Sequence, residues 1–256
     1  MLPITIAALA FLLTVGSGTA AAGAAFKVSS TLDGKTTLPS RLHWLVYPKL
    51  SPTKVAEVDF LIDGKVRWIE HSAPYNYASD ENGKEMGFLI TTWLSAGTHT
   101  FTSRVLDMSG NSVRDTVRAR VLAAPAPPAP LQGGIWTRIV QGGGSDGPPT
   151  GRWELVFDRV GAWHLDPLGS GVANQVSFHG NVINVFAPIQ MAPLINDHTT
   201  VKRYGHHNIG GFDCTMAGPF GSYHWSVSGD QLTLTAIKEG CAGRGTIWQG
   251  TWTRKR

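Results

Sequence analysis

The sequence predicts an all-β protein in which a β-sandwich is followed by a proline-rich linker and an antiparallel β-barrel. Thirty glycines and 15 prolines in 256 residues favour a turn-rich chain over helical bundles. Apolar and polar residues alternate over short stretches with the period of two that is typical of strands. Nine tryptophans supply large side chains for a core. This composition excludes helical transmembrane bundles, coiled coils, collagen and zinc fingers.

The charge of the chain says little about its partners. The 22 basic and 18 acidic residues give a formal net charge of +4. The basic residues are spread along the sequence, apart from one short cluster at residues 254–256. A nucleic-acid-binding protein gathers basic residues on one face. We therefore expect no nucleic acid among the partners.

The first 24 residues predict a secretory signal peptide. Residues 4–15 form an apolar run of the length found in signal peptides, and small residues follow over 18–25. No lysine or arginine precedes the run, so the alternative is an uncleaved anchor. The run is shorter than the roughly 20 apolar residues that span a bilayer. We expect a secreted or cell-surface protein with no integral membrane span in the mature chain.

The two cysteines lie close together in the second half of the sequence. Because an oxidising compartment favours disulfides, we expect Cys214 and Cys241 to be bonded. Closing a loop of this length contributes roughly 3–4 kcal/mol by the loop-entropy argument. The spacing fits neither a CxxC redox motif nor a cysteine-rich zinc site. The predicted role is structural.

A proline- and alanine-rich stretch over residues 123–132 divides the chain. Such a run prefers an extended polyproline conformation and acts as a semi-rigid spacer. It predicts one domain over 28–122 and a second over 133–256. Since the spacer itself offers no apolar surface, we expect the two domains to unfold independently.

The first domain alternates as strands do. Residues 55–62 lead into Asp63-Gly64, a strong signal for a two-residue hairpin turn, and residues 65–69 return. Residues 97–107 form a further predicted strand, with His99 and Phe101 on one face. Residues 112–121 form the last one. Short strands separated by regular turns favour a sandwich.

Four motifs in this domain resemble the bacterial Ig-like domains of exported proteins. They are Val58-Asp59-Phe60-Leu61-Ile62-Asp63-Gly64-Lys65, Ala73-Pro74-Tyr75, Gly97-Thr98-His99-Thr100 and Asp107-Met108-Ser109-Gly110-Asn111. The resemblance covers residues 28–122. It implies a seven-strand Ig-like sandwich that serves as a spacer or an adhesive module rather than as a catalyst.

The second domain also has the pattern of an antiparallel β-protein. Residues 152–158 place Trp153, Leu155 and Phe157 on one face. A hairpin follows over 175–186, and strands are predicted over 223–227, 231–237 and 246–253. About eight antiparallel strands can close into a barrel that is filled by side chains or holds one small ligand.

The two ends of this domain resemble the lipocalin and calycin pattern. Gly134-Ile135-Trp136 opens the domain and Trp252-Thr253-Arg254 closes it. In that pattern an early tryptophan packs under a late arginine. Further segments resemble lipocalin-like domains of exported bacterial proteins whose ligands are uncharacterised. The resemblance covers residues 133–254 and implies a barrel whose floor is closed by Trp136 and Arg254.

We find no convincing catalytic or metal motif. The densest polar cluster comprises Asp197, His198, His206, His207 and Asp213, and its spacing favours a solvated loop over a zinc site. Asp158 and Asp166 lie near tryptophans, as glycosidase carboxylates often do, but a strand end and a turn favour solvent-facing roles. The glycine-rich residues 142–147 lack the Lys-Ser/Thr of a phosphate-binding loop. No cofactor is expected.

The remaining indication of a function comes from the aromatic side chains of the second domain. If the barrel encloses a cavity, the candidate ligand-lining residues are Trp153, Phe157, Trp163 and Trp225. We expect an exported, non-enzymatic binding protein whose barrel holds a small apolar or aromatic molecule, with the first domain as spacer. The alternative is an interaction or adhesion module with a filled barrel that binds cell-wall sugar or protein. An exported enzyme is the third and weakest hypothesis.

Overall fold

The computed structural model describes residues 26–78, 87–142, 147–169, 171–189 and 221–256. Their regular secondary structure is almost entirely β-strand, which confirms the predicted fold class. Among them, no helix has the length and apolarity needed to cross a membrane. The strands form two groups, a sandwich and a barrel, with no strand in common.

The sandwich is built from strands of very different length arranged in three sheets. In chain order the strands are β1 (Val28–Ser30), β2 (Thr37–Leu38), β3 (Arg41–Leu42), β4 (Leu45–Pro48), β5 (Val55–Ile62), β6 (Lys65–Glu70), β7 (Tyr75–Asn76), β8 (Leu89–Ile90), β9 (Gly97–Asp107) and β10 (Ser112–Val121). The sheet orders are β1-β4-β7, β2-β10-β9-β5-β6 and β3-β8. The described part therefore has ten strand segments, not seven. Pro39 separates β2 from β3, because proline cannot donate to a strand ladder.

The sandwich core is built around buried aromatic side chains. Trp44 and Phe60 are buried at its centre, with ring centroids 4.9 Å apart in an edge-to-face arrangement. Asp63 and Gly64 both have positive φ values, 51° and 76°, and connect β5 to β6. This two-residue turn matches the hairpin that the sequence predicts.

The barrel is a closed, antiparallel sheet of eight strands in the described part of the chain. They are β11 (Ile135–Val140), β12 (Gly151–Phe157), β13 (Ala162–Leu165), β14 (Gly171–His179), β15 (Val182–Pro188), β16 (Gly221–Ser228), β17 (Gln231–Glu239) and β18 (Gly250–Arg254). Each strand pairs with the next, and β18 pairs back with β11. Closure aligns Trp136 with Arg254 and Thr137 with Thr253.

One element of the barrel differs from the sequence prediction. The strand expected over 246–253 is a helix, α1 (Ala242–Trp248), followed by the shorter strand β18. The helix buries Arg244, Ile247 and Trp248, which lie at positions i, i+3 and i+4. That spacing places all three on one side of a helix, so their burial favours helix over strand.

The two domains contact each other, contrary to the expectation that nothing couples them. Ile90 of the sandwich shares an apolar cluster with Ala173 and Trp163 of the barrel wall. The hydroxyl of Thr92 donates a 2.6 Å hydrogen bond to the carbonyl of Val160. The contact comes from the β8 side of the sandwich and not from the proline-rich spacer.

Candidate functional site

The interior of the barrel is filled by large aromatic side chains. Trp136, Trp153, Trp248 and Trp252 are each at most 1% exposed, and Phe157 is 2% exposed. They belong to one buried cluster with leucine, isoleucine and valine side chains from the surrounding strands. Close packing of this kind is typical of a core rather than of a ligand cavity.

Helix α1 supplies the side chain at the centre of this packing. The Trp248 ring stacks on Tyr223 with centroids 5.6 Å apart and meets Phe157 edge-on at 6.2 Å. Its backbone carbonyl accepts a 3.0 Å hydrogen bond from the indole N–H of Trp252. The helix therefore acts as a plug at the end of the barrel opposite the Trp136 end.

The four predicted ligand-lining residues do not form one site. Trp153 and Phe157 lie inside the barrel, within the packed core. Trp225 also faces inward but is only partly buried, and its indole N–H donates to the carbonyl of Gly180 at 3.2 Å. Gly180 belongs to the turn after β14, so Trp225 lies at the floor.

Trp163 faces outward, and its assignment as a lining residue is wrong. Its neighbours Ala162 and His164 are buried inside the barrel, so strand alternation puts Trp163 on the outer wall. There it packs in the cluster between the two domains, and its indole N–H donates to the Asp158 carboxylate at 2.9 Å. Trp163 therefore contributes to domain contact.

Trp136 and Arg254 meet at the floor of the barrel. The Arg254 guanidinium carbon lies 4.2 Å from the centre of the Trp136 ring, within the usual cation–π limit of about 6 Å. Arg254 also donates a 2.9 Å hydrogen bond to the carbonyl of Pro130. A Cβ at Gly134 would collide with the guanidinium, which accounts for glycine two residues before the tryptophan.

A buried polar network at the α1 end was not predicted from the sequence. Arg244 is fully buried, and its Nη2 donates to the Glu239 carboxylate at 2.5 Å. The Tyr223 hydroxyl and the backbone N–H of Cys241 also donate to Glu239. Burial, together with the hydrogen bond to Glu239 and its negative charge, raises the pKa of Tyr223. The tyrosine therefore stays neutral and donates.

His164 is a second buried polar group that the sequence analysis did not single out. It is 1% exposed and lies between Trp153 and Trp248, with ring centroids 5.8 and 6.4 Å away. Its burial could have been predicted from the strand pattern, because His164 follows Trp163 directly and alternation puts the two side chains on opposite faces. The contacts make it part of the core packing.

The described outer wall carries a polar groove of about 450 Å³ where β11, β12 and β18 meet. We call it the seam groove; its lining residues are Thr137, Arg138, Ile139, Arg152, Thr251 and Thr253. The volume lies within the range of small-molecule sites. Hydroxyls and guanidinium groups dominate the lining, so the groove suits a polar ligand.

The two arginines of the seam groove differ in how firmly their side chains are held. Arg138 donates to the carbonyls of Ile247 and Gln249 at the end of α1, and burial lowers its pKa below the usual value. Its orientation is therefore fixed before any ligand arrives. Arg152 is exposed on β12. Arg152 is thus the cation best placed to contact a ligand.

The two candidate glycosidase carboxylates are not close together. Asp158 follows β12 at the floor and accepts from the backbone N–H of Val160 at 2.8 Å. Asp166 follows β13 at the α1 end and accepts from the backbone N–H of Leu168 at 2.8 Å. Each stabilises its own turn. Since they lie at opposite ends of the barrel, they form no acid–base pair.

A second ionisable pair lies in the sandwich. His99 contacts the Asp63 carboxylate at 2.6 Å through Nδ1 and the Ser95 carbonyl at 2.8 Å through Nε2. Burial opposes the charged form, but both hydrogen bonds and the Asp63 charge outweigh it and raise the pKa of His99. Two acceptors around one ring favour the doubly protonated imidazolium. The pair fastens β9 to the turn after β5.

Some predicted features lie outside the described residues. These are the signal peptide, Cys214, and the cluster of Asp197, His198, His206, His207 and Asp213. The Cys214–Cys241 bond therefore stays a prediction. Within the described ranges, no group of three or more His, Cys, Asp or Glu side chains could hold a metal ion.

Comparison with known proteins adds little about function. No family model matches the sequence, and no curated protein matches it. Among solved structures, the chain is similar to the fibronectin(III)-like modules of Clostridium thermocellum CbhA, at 23% sequence identity and a TM-score of 0.30. The match covers 39% of this chain and 100% of that chain. At this TM-score the likeness carries no argument.

Proposed function

We propose that this protein is an exported, non-enzymatic interaction module that binds cell-surface polysaccharide or protein through its outer surfaces. The observation that carries the proposal is the filled barrel. Trp153, Phe157 and Trp248 occupy the space that an apolar ligand would need. This packing favours the interaction module over the small-ligand carrier that the sequence suggested first. Export rests on the predicted signal peptide.

The barrel itself we propose to be lipocalin-like. Its support is the closed eight-stranded sheet and the stack of Arg254 on Trp136. In a carrier of this shape the lumen is open at the end opposite the floor. Here α1 inserts Trp248 at that end. The same architecture therefore serves as a rigid support for external surfaces.

The seam groove is the proposed contact surface on the barrel. Thr137, Thr251 and Thr253 present hydroxyls along two paired strands, and Arg152 adds an exposed guanidinium. Hydroxyls and guanidinium groups form hydrogen bonds with the hydroxyl and carboxylate groups of sugars. Because the strands are fixed in the barrel wall, the groove needs little ordering when a ligand binds.

The test is binding of the full chain to soluble cell-wall fragments from its own host, measured by calorimetry. Arg152→Gln should weaken binding about tenfold or more, since a hydrogen bond to a charged group is lost. Thr251→Val should weaken it less. The matched controls are Lys238→Gln and Thr235→Val, which change exposed residues of β17 away from the groove.

The controls should bind as the unaltered protein does. Equal affinity for Arg152→Gln and Lys238→Gln would remove the groove from the proposal. No binding of the fragments by any form would contradict the proposed function.

A further inference from the structure

The outer face of the five-stranded sandwich sheet carries a row of arginines. On β10, Arg114, Arg118 and Arg120 are exposed, whereas Ala119 and Val121 are buried in the core. Alternation puts the three arginines on one face of the strand. At about 3.4 Å per residue, the row from Arg114 to Arg120 is about 20 Å long.

Strand pairing places more polar residues beside this row. On β9, Arg104 lies opposite Arg114, Thr100 opposite Arg118 and Thr98 opposite Arg120. We call these residues, with the three arginines of β10, the arginine face. Directly opposed like charges destabilise a sheet by themselves. An anion beside Arg104 and Arg114 would offset this repulsion.

Acidic residues of the same sheet offset only part of the positive charge of these arginines. Nε of Arg104 donates to the Asp59 carboxylate at 2.5 Å, and this carboxyl is almost fully buried. Glu57 also belongs to β5, two strands away from β10, and lies opposite Leu106. The guanidinium groups of β10 thus form a positive strip beside the two-residue edge strand β2.

The residues between the arginines indicate which polyanion fits. In the described strands, the positions of β9 and β10 on this face carry threonine, serine, leucine and arginine, with no aromatic ring. Proteins that bind single-stranded nucleic acid stack bases on aromatic side chains. A carboxylated polysaccharide instead offers carboxylates to arginine forks and hydroxyls to threonines.

We propose that the arginine face binds a linear carboxylated polysaccharide laid along β10. Arg114, Arg118 and Arg120 contact carboxylates at intervals along this polymer. Thr98 and Thr116, which lie on the same face, contact ring hydroxyls. The inference goes beyond the proposed function, because it gives the sandwich a binding surface of its own, separate from the seam groove. The sandwich is then more than a spacer.

The experiment measures binding of the full chain to polygalacturonate oligomers by calorimetry at 50 and 150 mM salt. The test variant combines Arg114→Gln, Arg118→Gln and Arg120→Gln. The control combines Lys27→Gln and Lys49→Gln with Lys54→Gln, which removes the same charge from exposed residues off this face. Neutral dextran and an oligothymidylate are the comparison ligands.

The unaltered protein should bind polygalacturonate, more weakly at the higher salt, and should not bind dextran. The arginine variant should lose about tenfold or more in affinity, since three exposed ion pairs are removed, and the lysine control should not. Lys238→Gln, which changes an exposed residue on the barrel wall, should leave this binding unchanged.

Equal loss in the two triple variants would overturn the proposal, since it would show a net-charge effect alone. Absence of polygalacturonate binding would also overturn it and would leave the arginines as solvated charges on the sheet surface. Tighter binding of the oligothymidylate would contradict the class of partner. Denaturation curves would check that every variant is folded.

Discussion

Replacing Arg254 by alanine is expected to destabilise the barrel. The change removes a guanidinium 4.2 Å from the Trp136 ring and the hydrogen bond to the carbonyl of Pro130. A partly desolvated cation–π contact contributes about 1–2 kcal/mol, and a hydrogen bond from a charged group adds up to about 1.5–3 kcal/mol. Because Arg254 is partly exposed and the terms are not additive, we expect a loss of about 1–3 kcal/mol.

The assay is urea denaturation followed by tryptophan fluorescence, with Lys255→Ala as the matched control. Lys255 is exposed and forms a 2.6 Å surface ion pair with Glu154. Such a pair contributes at most about 1 kcal/mol. Equal stability of the two variants would refute the stack as a stabilising contact. Arg254→Lys should recover only part of the loss, because lysine lacks the planar fork.

Four further predictions address other parts of the account. Trp248→Ala should lower the free energy of unfolding by about 3–5 kcal/mol in chemical denaturation; an unchanged value would contradict the packed interior. Because the pKa of His99 is raised, the charged histidine stabilises the folded protein fully below a pH of about 6.5, and this stabilisation is lost as the pH rises through the raised pKa. His99→Gln should flatten the dependence of the melting temperature on pH. Trp163→Ala should split a coupled melting transition in calorimetry; two transitions in the unaltered protein would show no coupling. Reduction of the predicted Cys214–Cys241 bond should destabilise the barrel by roughly 3–4 kcal/mol; an unchanged barrel melting temperature would count against that bond.

Local pattern was enough to predict most of the longer strands. Alternation assigned Trp153, Leu155 and Phe157 to one face of β12, and all three are buried. The Asp63-Gly64 turn was also predictable locally, because this residue pair favours the two positive φ values that the turn needs. Strands and tight turns could be predicted from the sequence because they are determined by residues that are neighbours in the chain.

The candidate surfaces depend on distant residues and were not predicted. Trp163 contacts the other domain, so its role follows from how the domains dock. The arginines at 104 and 114 become neighbours only through the register of β9 with β10. A seven-residue helix such as α1 is also hard to distinguish from a strand by periodicity.

The central claim is that the barrel is filled and the protein binds through its exterior. Native mass spectrometry of the full protein purified from its own host tests this most directly. The account predicts a mass equal to that of the processed polypeptide alone. A stoichiometric apolar molecule that stays bound under native conditions and is released on denaturation would contradict it.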